Sequence, residues 1–138
     1  MVNSKKKGTD FERDIIKKLN TKVKKGKFKR VAGSGAFGTI MSIPDLFGDI
    51  TGEVEGFPKK FRGEAKVGYG GAKSLTMKKE WLDKIVMEAN STYSIPFLIA
   101  RFSNSRSGVE EFAVLDFDTF VYLLNLVTSL AKEFDTNE

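Results

Sequence analysis

The chain has 138 residues, the size of one compact domain, and at 41% apolar and 30% charged residues it has the makeup of a folded globular protein. No apolar run approaches the ~18 residues of a membrane span, and cysteine and histidine are both absent. Disulfides, cysteine nucleophiles, Ser-His-Asp triads and the usual zinc sites are therefore excluded, which leaves carboxylates, lysines, hydroxyls or a hard metal ion for any chemistry. The net charge of +5 is uneven, because residues 1–30 carry 12 basic and 3 acidic side chains while the rest carry 11 and 15. A basic arm on a mildly acidic body points to a polyanionic partner, with DNA or RNA first.

In chain order, residues 1–8 read as a flexible basic arm with Lys5, Lys6 and Lys7. No apolar stretch follows these lysines, so the segment is not a secretory signal, and a cytoplasmic location is expected (the host cytoplasm if the source is viral). Thr9-Asp10-Phe11-Glu12 has the form of a capping box opening a helix over about residues 9–24. Phe11, Ile15, Ile16, Leu19 and Val23 recur at helical spacing along it. Strands are predicted over 28–32, 49–55 and 61–67, the last two joined by a turn containing Gly56 and Pro58. A helix over about 76–90 turns Met77, Trp81, Leu82, Ile85, Val86 and Ala89 inward. Strands over 95–102 and 111–115 follow, then a helix from Asp116 or Asp118 to about Phe134. That helix is apolar nearly all round, so it is either sunk in the core or lies in a subunit interface. The order α-β-β-β-α-β-β-α describes an α/β sheet with helices against it, in a single domain over residues 1–138.

Gly33-Ser34-Gly35-Ala36-Phe37-Gly38 matches G-x-G-x-x-G. The residues after it, Thr39 to Pro44, are β-branched and then broken by proline, so no helix follows and a dinucleotide site is excluded. No Lys-Ser/Thr closes the loop, which excludes a P-loop, and kinase segments are missing. Backbone N–H groups and Ser34 can still touch phosphate.

Three features converge on one chemistry. Glu12 falls in the middle of the apolar arc of the first helix, where a carboxylate must be paired, bound to metal or used in the cap. Glu64 and Lys66 share one face of their strand while Ala65 points away. With the turn centred near Phe57 and Pro58, antiparallel partners sum to about 115, which puts Asp49 across from Lys66 and diagonal to Glu64. Carboxylates with a lysine suit a hard cation such as Mg²⁺, whose bound water is a stronger nucleophile and whose charge offsets that on a phosphoryl oxygen.

Glu12, Asp49 and Glu64-Ala65-Lys66, in that order and setting, resemble the PD-(D/E)XK nuclease superfamily. Lys7-Gly8 through Glu12-Arg13, Arg30 through Gly35, Gly48-Asp49 and Gly63 through Lys66 resemble the archaeal and phage Holliday junction resolvases within it. The resemblance spans about residues 7–102. It implies a restriction-endonuclease-like mixed β-sheet flanked by helices, and Mg²⁺-dependent cleavage of branched double-stranded DNA by a homodimer. It further implies that Asp49 and Glu64 hold Mg²⁺ (or Mn²⁺), that Lys66 is the catalytic lysine and that Glu12 completes the site. Arg13, Arg30 and Ser34 match positions near the active site and the DNA. Lys5, Lys6, Lys7, Lys27, Lys29 and Lys73 are further candidates for phosphate contacts. No small-molecule cofactor and no membrane partner are expected. Two departures stand out: the segment from Phe37 to Phe47 is long and offers Asp45, preceded by Pro44, as a rival ligand, and little family signal follows Gly108. Other nucleases of the superfamily that act on duplex or flapped DNA, and a non-catalytic DNA-binding module, are the competing readings.

Overall fold

The computed structural model describes residues 4–31, 50–67, 74–102 and 108–136. Among the described residues three helices and five strands occur in the expected order: α1 (Ser4–Lys22), β1 (Gly26–Arg30), β2 (Ile50–Val54), β3 (Lys60–Val67), α2 (Lys79–Ser91), β4 (Ser94–Arg101), β5 (Glu111–Val114) and α3 (Phe117–Thr136). The strands form one sheet in the order β1-β2-β3-β4-β5. It is mixed, since β3 and β4 run parallel while the other three pairings are antiparallel. Helix α2 is the crossover that the parallel pair requires.

Helix α1 begins earlier than its sequence suggests. It starts at Ser4, so the backbone of residues 4–8, expected in a flexible arm, forms its opening turn. Lysines favour helix, and Gly8 is one weak position among them. The capping-box reading of Thr9 to Glu12 is therefore wrong: Glu12 lies well inside the helix and its carboxylate is not spent on a cap. The inward face is as expected, with Phe11 and Ile15 buried against Phe28, Ile50, Ala65 and Phe97, and Leu19 and Val23 packed around them. In the last turn of the helix, Asn20 brackets the backbone of Phe28, accepting from its N–H at 2.7 Å and donating to its carbonyl at 2.9 Å. This uses the outward groups of an edge strand that would otherwise stay open.

The β2–β3 hairpin corrects the register. Ile50 pairs with Gly63 and Gly52 with Phe61, so partner numbers sum to 113 rather than 115. The turn sits two residues earlier than expected: Phe57 N–H donates to the Val54 carbonyl at 2.9 Å, and Gly56 takes φ +88°. Positive φ at this third position is the signature of a type II turn, and it selects glycine over proline as the pivot. An even shift leaves every side chain on its predicted face.

On the other side of the sheet, Ile85 of α2 packs with Leu98 and Ala100 of β4. Helix α2 starts at Lys79, three residues later than predicted, and contacts β3 and β4. Helix α3 is capped by Asp116, which accepts from the Thr119 N–H and hydroxyl at 3.1 and 2.5 Å. The core reading of α3 is overturned. Phe117, Phe120, Leu124, Val127 and Leu130 are each half exposed or more. No helix among the described residues is long and apolar enough to cross a membrane.

Candidate active site

Strand β3 separates two environments by simple alternation. Ala65 faces α1 and lies in the apolar cluster with Phe11 and Ile15. Its neighbours Glu64 and Lys66 face α2. Glu64 is 4% exposed, and a carboxylate so deeply placed needs cationic partners. Two ammonium groups lie beside it. Lys66 Nζ lies 3.7 Å from Oε2, and Lys84 Nζ, from α2, lies 3.8 Å from Oε1. Each oxygen of Glu64 thus faces its own ammonium. Lys84 also lies 3.7 Å from Oε1 of Glu88, one turn further along α2 and just as buried. Lys66 in turn sits 4.9 Å from the centre of the Trp81 ring, whose face attracts a cation. Helix α2 therefore presents Trp81, Lys84 and Glu88 to the strand, at i, i+3 and i+7 on one face.

Glu12 is buried, as its place in the apolar arc predicts, but on the α1 side. Its Oε1 accepts from Arg30 Nε at 3.1 Å. Arg30 follows Phe28 by two residues on the same face of β1, which explains why it reaches the helix. The structure thus brings Glu64 to Lys66 and Glu12 to Arg30, one pair on each side of the sheet. Asp49, its rival Asp45, Ser34 and Lys73 lie outside the described residues. Among the described residues no group of three or more acidic side chains is close enough together to hold a metal ion. The donors that are present, carboxylates without histidine or cysteine, suit a hard, oxygen-seeking cation and no soft one.

Of the proposed phosphate-binding residues, Arg13, Lys27, Lys29 and Arg30 are exposed. The backbone of Lys5, Lys6 and Lys7 belongs to the first turns of α1. Lys27 and Lys29 alternate with buried Phe28, so they project to the α2 side, the same side as Glu64 and Lys66. They line an open cleft with Thr51, Glu53 and Lys60. Among the described residues no helix covers β1 and β2 on that side, because α2 packs on β3 and β4.

Sequence reasoning missed two groups. Lys84 and Glu88 were readable by the argument that found Glu12, since Glu88 shares the helical arc of Trp81 and Ile85. The second group is an ion network on the α1 side. Arg101 at the end of β4 bonds both Asp14 of α1 and Glu111 of β5, and Lys18 bonds Glu111 at 2.9 Å. The Arg101 guanidinium also lies 4.3 Å from the Phe11 ring centre. The hydrogen bond from Arg101 holds the Asp14 carboxyl below its ordinary range against the opposing effect of burial, with the Lys18 charge assisting. Burial alone pushes Glu111 up, but hydrogen bonds from Lys18 and Arg101 outweigh it and leave it lowered. Asp14 and Lys18 are i, i+4 neighbours on α1, but no spacing rule connects them to residues 101 and 111 until the strands are arranged.

Comparison with known proteins adds two findings. Residues 3–133 match the family model described as "Phage putative PDDEXK endonuclease". The fold is similar to that of Hjc from Archaeoglobus fulgidus, a Holliday junction resolvase from an archaeal hyperthermophile, with a TM-score of 0.52 and 18% identity over 79% of this chain and 88% of that one. At that identity the likeness extends to the fold: a mixed five-stranded sheet flanked by helices, of the restriction-endonuclease type. No curated protein matches the sequence.

Proposed function

Because the chain belongs to the phage PDDEXK endonuclease family, we propose that it hydrolyses phosphodiester bonds in branched, four-way DNA, with Mg²⁺ held by Glu64 and Asp49. The observation that carries this reading is the buried Glu64 carboxylate beside the Lys66 ammonium on a single strand face. Glu64 offers two hard oxygens fixed by the fold, and Ile50, which follows Asp49 in the chain, pairs with Gly63, which precedes Glu64. The donor chemistry therefore fits the ion, with Mn²⁺ as a substitute. When bound, such an ion supplies a more acidic water and offsets phosphoryl charge. Lys66, stacked on Trp81, has a fixed ammonium that can orient the attacking water or stabilise the pentacoordinate phosphorane. Glu12, the remaining carboxylate assigned to the acidic site, is held by Arg30 on the α1 side of the sheet, the side opposite Glu64.

Substrate approach follows from charge. Lys27, Lys29 and Lys60 stand on the sheet face of Glu64, where no described helix covers β1 and β2, while Arg13 and Arg30 lie on the α1 side. Ser34, Lys73 and the lysines at 5, 6 and 7 extend the same phosphate-binding role. The likeness to a Holliday junction resolvase favours a four-way junction as the substrate. A homodimer would set two such sites on opposing strands. The exposed apolar stripe of α3 is the surface we assign to it, since apolar residues recurring at helical spacing are stable only when covered.

The test is cleavage of a labelled four-way junction in Mg²⁺, with linear duplex, flapped duplex and single strand alongside and Glu64→Gln as control. Paired symmetric nicks in the junction alone, lost in the variant, are the expected result. Cutting of duplex or flapped DNA as well retains the nuclease and overturns the junction preference. Binding without cutting reduces the protein to a DNA-binding module.

A further inference from the structure

Between β3 and α2 the ion pairs around Glu64 link two carboxylates, Glu64 and Glu88, with two ammonium groups, Lys66 and Lys84, and Arg62 adds a further buried cation to the same face of β3. Their surroundings differ. The two carboxylates are almost fully buried, at 4% exposure each, and cannot move without opening the α2–β3 contact. Lys66 is held by the Trp81 ring as well as by Glu64. The Lys84 side chain is 40% exposed and sits about equally far from two carboxylates, 3.8 Å from one and 3.7 Å from the other. A divalent ion arriving at Glu64 brings two more positive charges to a carboxylate that already faces two ammonium groups. At these distances like charges repel appreciably even when half solvated. One cation must yield, and Lys84 is the one with both a flexible stem and a second carboxylate waiting.

We infer that Lys84 is a resident stand-in for the metal ion: it occupies Oε1 of Glu64 in the metal-free protein, competes with the ion for that oxygen, and is retained by Glu88 when displaced. This rests on the reading that Glu64 is a metal ligand. Lys84 is then a positioning residue rather than a catalytic one, since it acts through Glu64. The exchange gives the two helix residues effects of opposite sign. Removing the competitor strengthens metal binding. Removing the charge of Glu88 leaves Lys84 wholly to Glu64 and weakens it. A purely structural clamp on Glu64 predicts the reverse for Lys84, because a carboxylate released from its clamp binds an ion less well.

The experiment is titration of the full chain with Mn²⁺ in the absence of DNA, following free Mn²⁺ by electron paramagnetic resonance. Lys84→Met is expected to bind Mn²⁺ about two- to five-fold more tightly than the unaltered protein, the range for a half-exposed ion pair. Glu88→Gln is expected to bind it more weakly by a similar factor. Circular dichroism checks that each variant folds. If Lys84→Met does not, Lys84→Gln and the double variant Lys84→Met with Glu88→Leu, which removes both halves of the pair, must show the same tightening. Unchanged or weaker binding in the Lys84 variants, with binding lost in Glu64→Gln, overturns the stand-in role alone. Full Mn²⁺ affinity in Glu64→Gln overturns it together with the metal-ligand reading.

Discussion

Strand β3 is two strands in one. On the α1-facing side, Gly63 and Ala65 are small and buried beneath Phe97 and Phe11, with Phe61 and Val67 packed around the same cluster, and all four serve packing. On the α2-facing side the residues are charged: Lys60, buried Arg62, Glu64 and Lys66, the last two with Lys84, Glu88 and Trp81 as neighbours. The difference shows how a small domain can bury a reactive carboxylate without losing its core. The apolar load is carried by one face, so the other can hold charge, provided that every charge has a partner. A residue's consequence on mutation should then follow from its parity along the strand.

The comparison can be broken most sharply at Lys66. Lys66→Met keeps the alkyl stem that packs near Trp81 and removes the ammonium. Cleavage should fall by about 10²- to 10³-fold, the usual cost of one preorganised charge stabiliser, while urea unfolding moves by less than about 1 kcal/mol. A stability loss matching the activity loss would show that the α2 side carries the fold as well. The mirror experiment is Ile15→Ala on the α1 side. Ile15 is buried in the main cluster, so its truncation should cost about 3 kcal/mol in unfolding free energy. Cleavage per folded molecule should then stay within a few-fold of the unaltered protein.

Gly63→Ala tests the packing side from the opposite direction, by adding volume. A Cβ there would lie 2.4 Å from the Phe97 carbonyl oxygen and 2.6 Å from its ring. The oxygen is backbone in the paired strand β4, so it cannot swing away as a side chain could. We expect a loss of about 2 kcal/mol, readable in urea, with the β3–β4 ladder strained. Because Gly63 precedes Glu64, this variant should also disturb cleavage, unlike Ile15→Ala.

Much of this division is legible in the amino-acid sequence alone. Alternation identifies the shared face of Glu64 and Lys66, and the 3.6-residue period finds the inward side of α1 and the buried carboxylate of Glu12. What fails is local and has physical causes. The hairpin register depends on which of two turn-forming residues pivots, and positive φ at Gly56 decides it. The start of α1 is hidden because Thr9-Asp10-Phe11-Glu12 offers the fuller capping pattern, while Asn3-Ser4 ahead of the lysines offers only single cap-forming residues. Helix α3 reads equally as core or interface, since apolarity marks what wants covering and not what covers it. Its exposed Phe120 and Leu124 settle only that the described chain does not. The partners of Glu64 on α2 escape notice because Lys84 and Glu88 also look like an ordinary i, i+4 surface pair.

The smallest effect belongs to the network of Arg101, Asp14, Glu111 and Lys18, where the α1 face meets the far edge of the sheet. Asp14 and Glu111 have their pKa values lowered from 3.8 and 4.5. A carboxylate lowered on folding stabilises the native state fully above its unfolded value, and that contribution disappears as pH falls through the folded value. Lys18 is raised from 10.5, so its contribution is complete below that value and is lost only as pH climbs through the higher folded one. Between these limits the network is a constant. Acid unfolding, followed by circular dichroism from pH 6 to 2, should therefore be steeper in the unaltered protein than in Asp14→Asn with Glu111→Gln. The difference should open below pH 4.5. The Lys18 and Asp14 side chains are each about 40% exposed, so their share is screened and should shrink at high salt, while the more enclosed Arg101–Glu111 contact persists. An acid limb unchanged by the double substitution would mean that α1 is anchored by Phe11 and Ile15 alone. The charge on that face would then be surface, and the division of labour between the two faces sharper than we have drawn it.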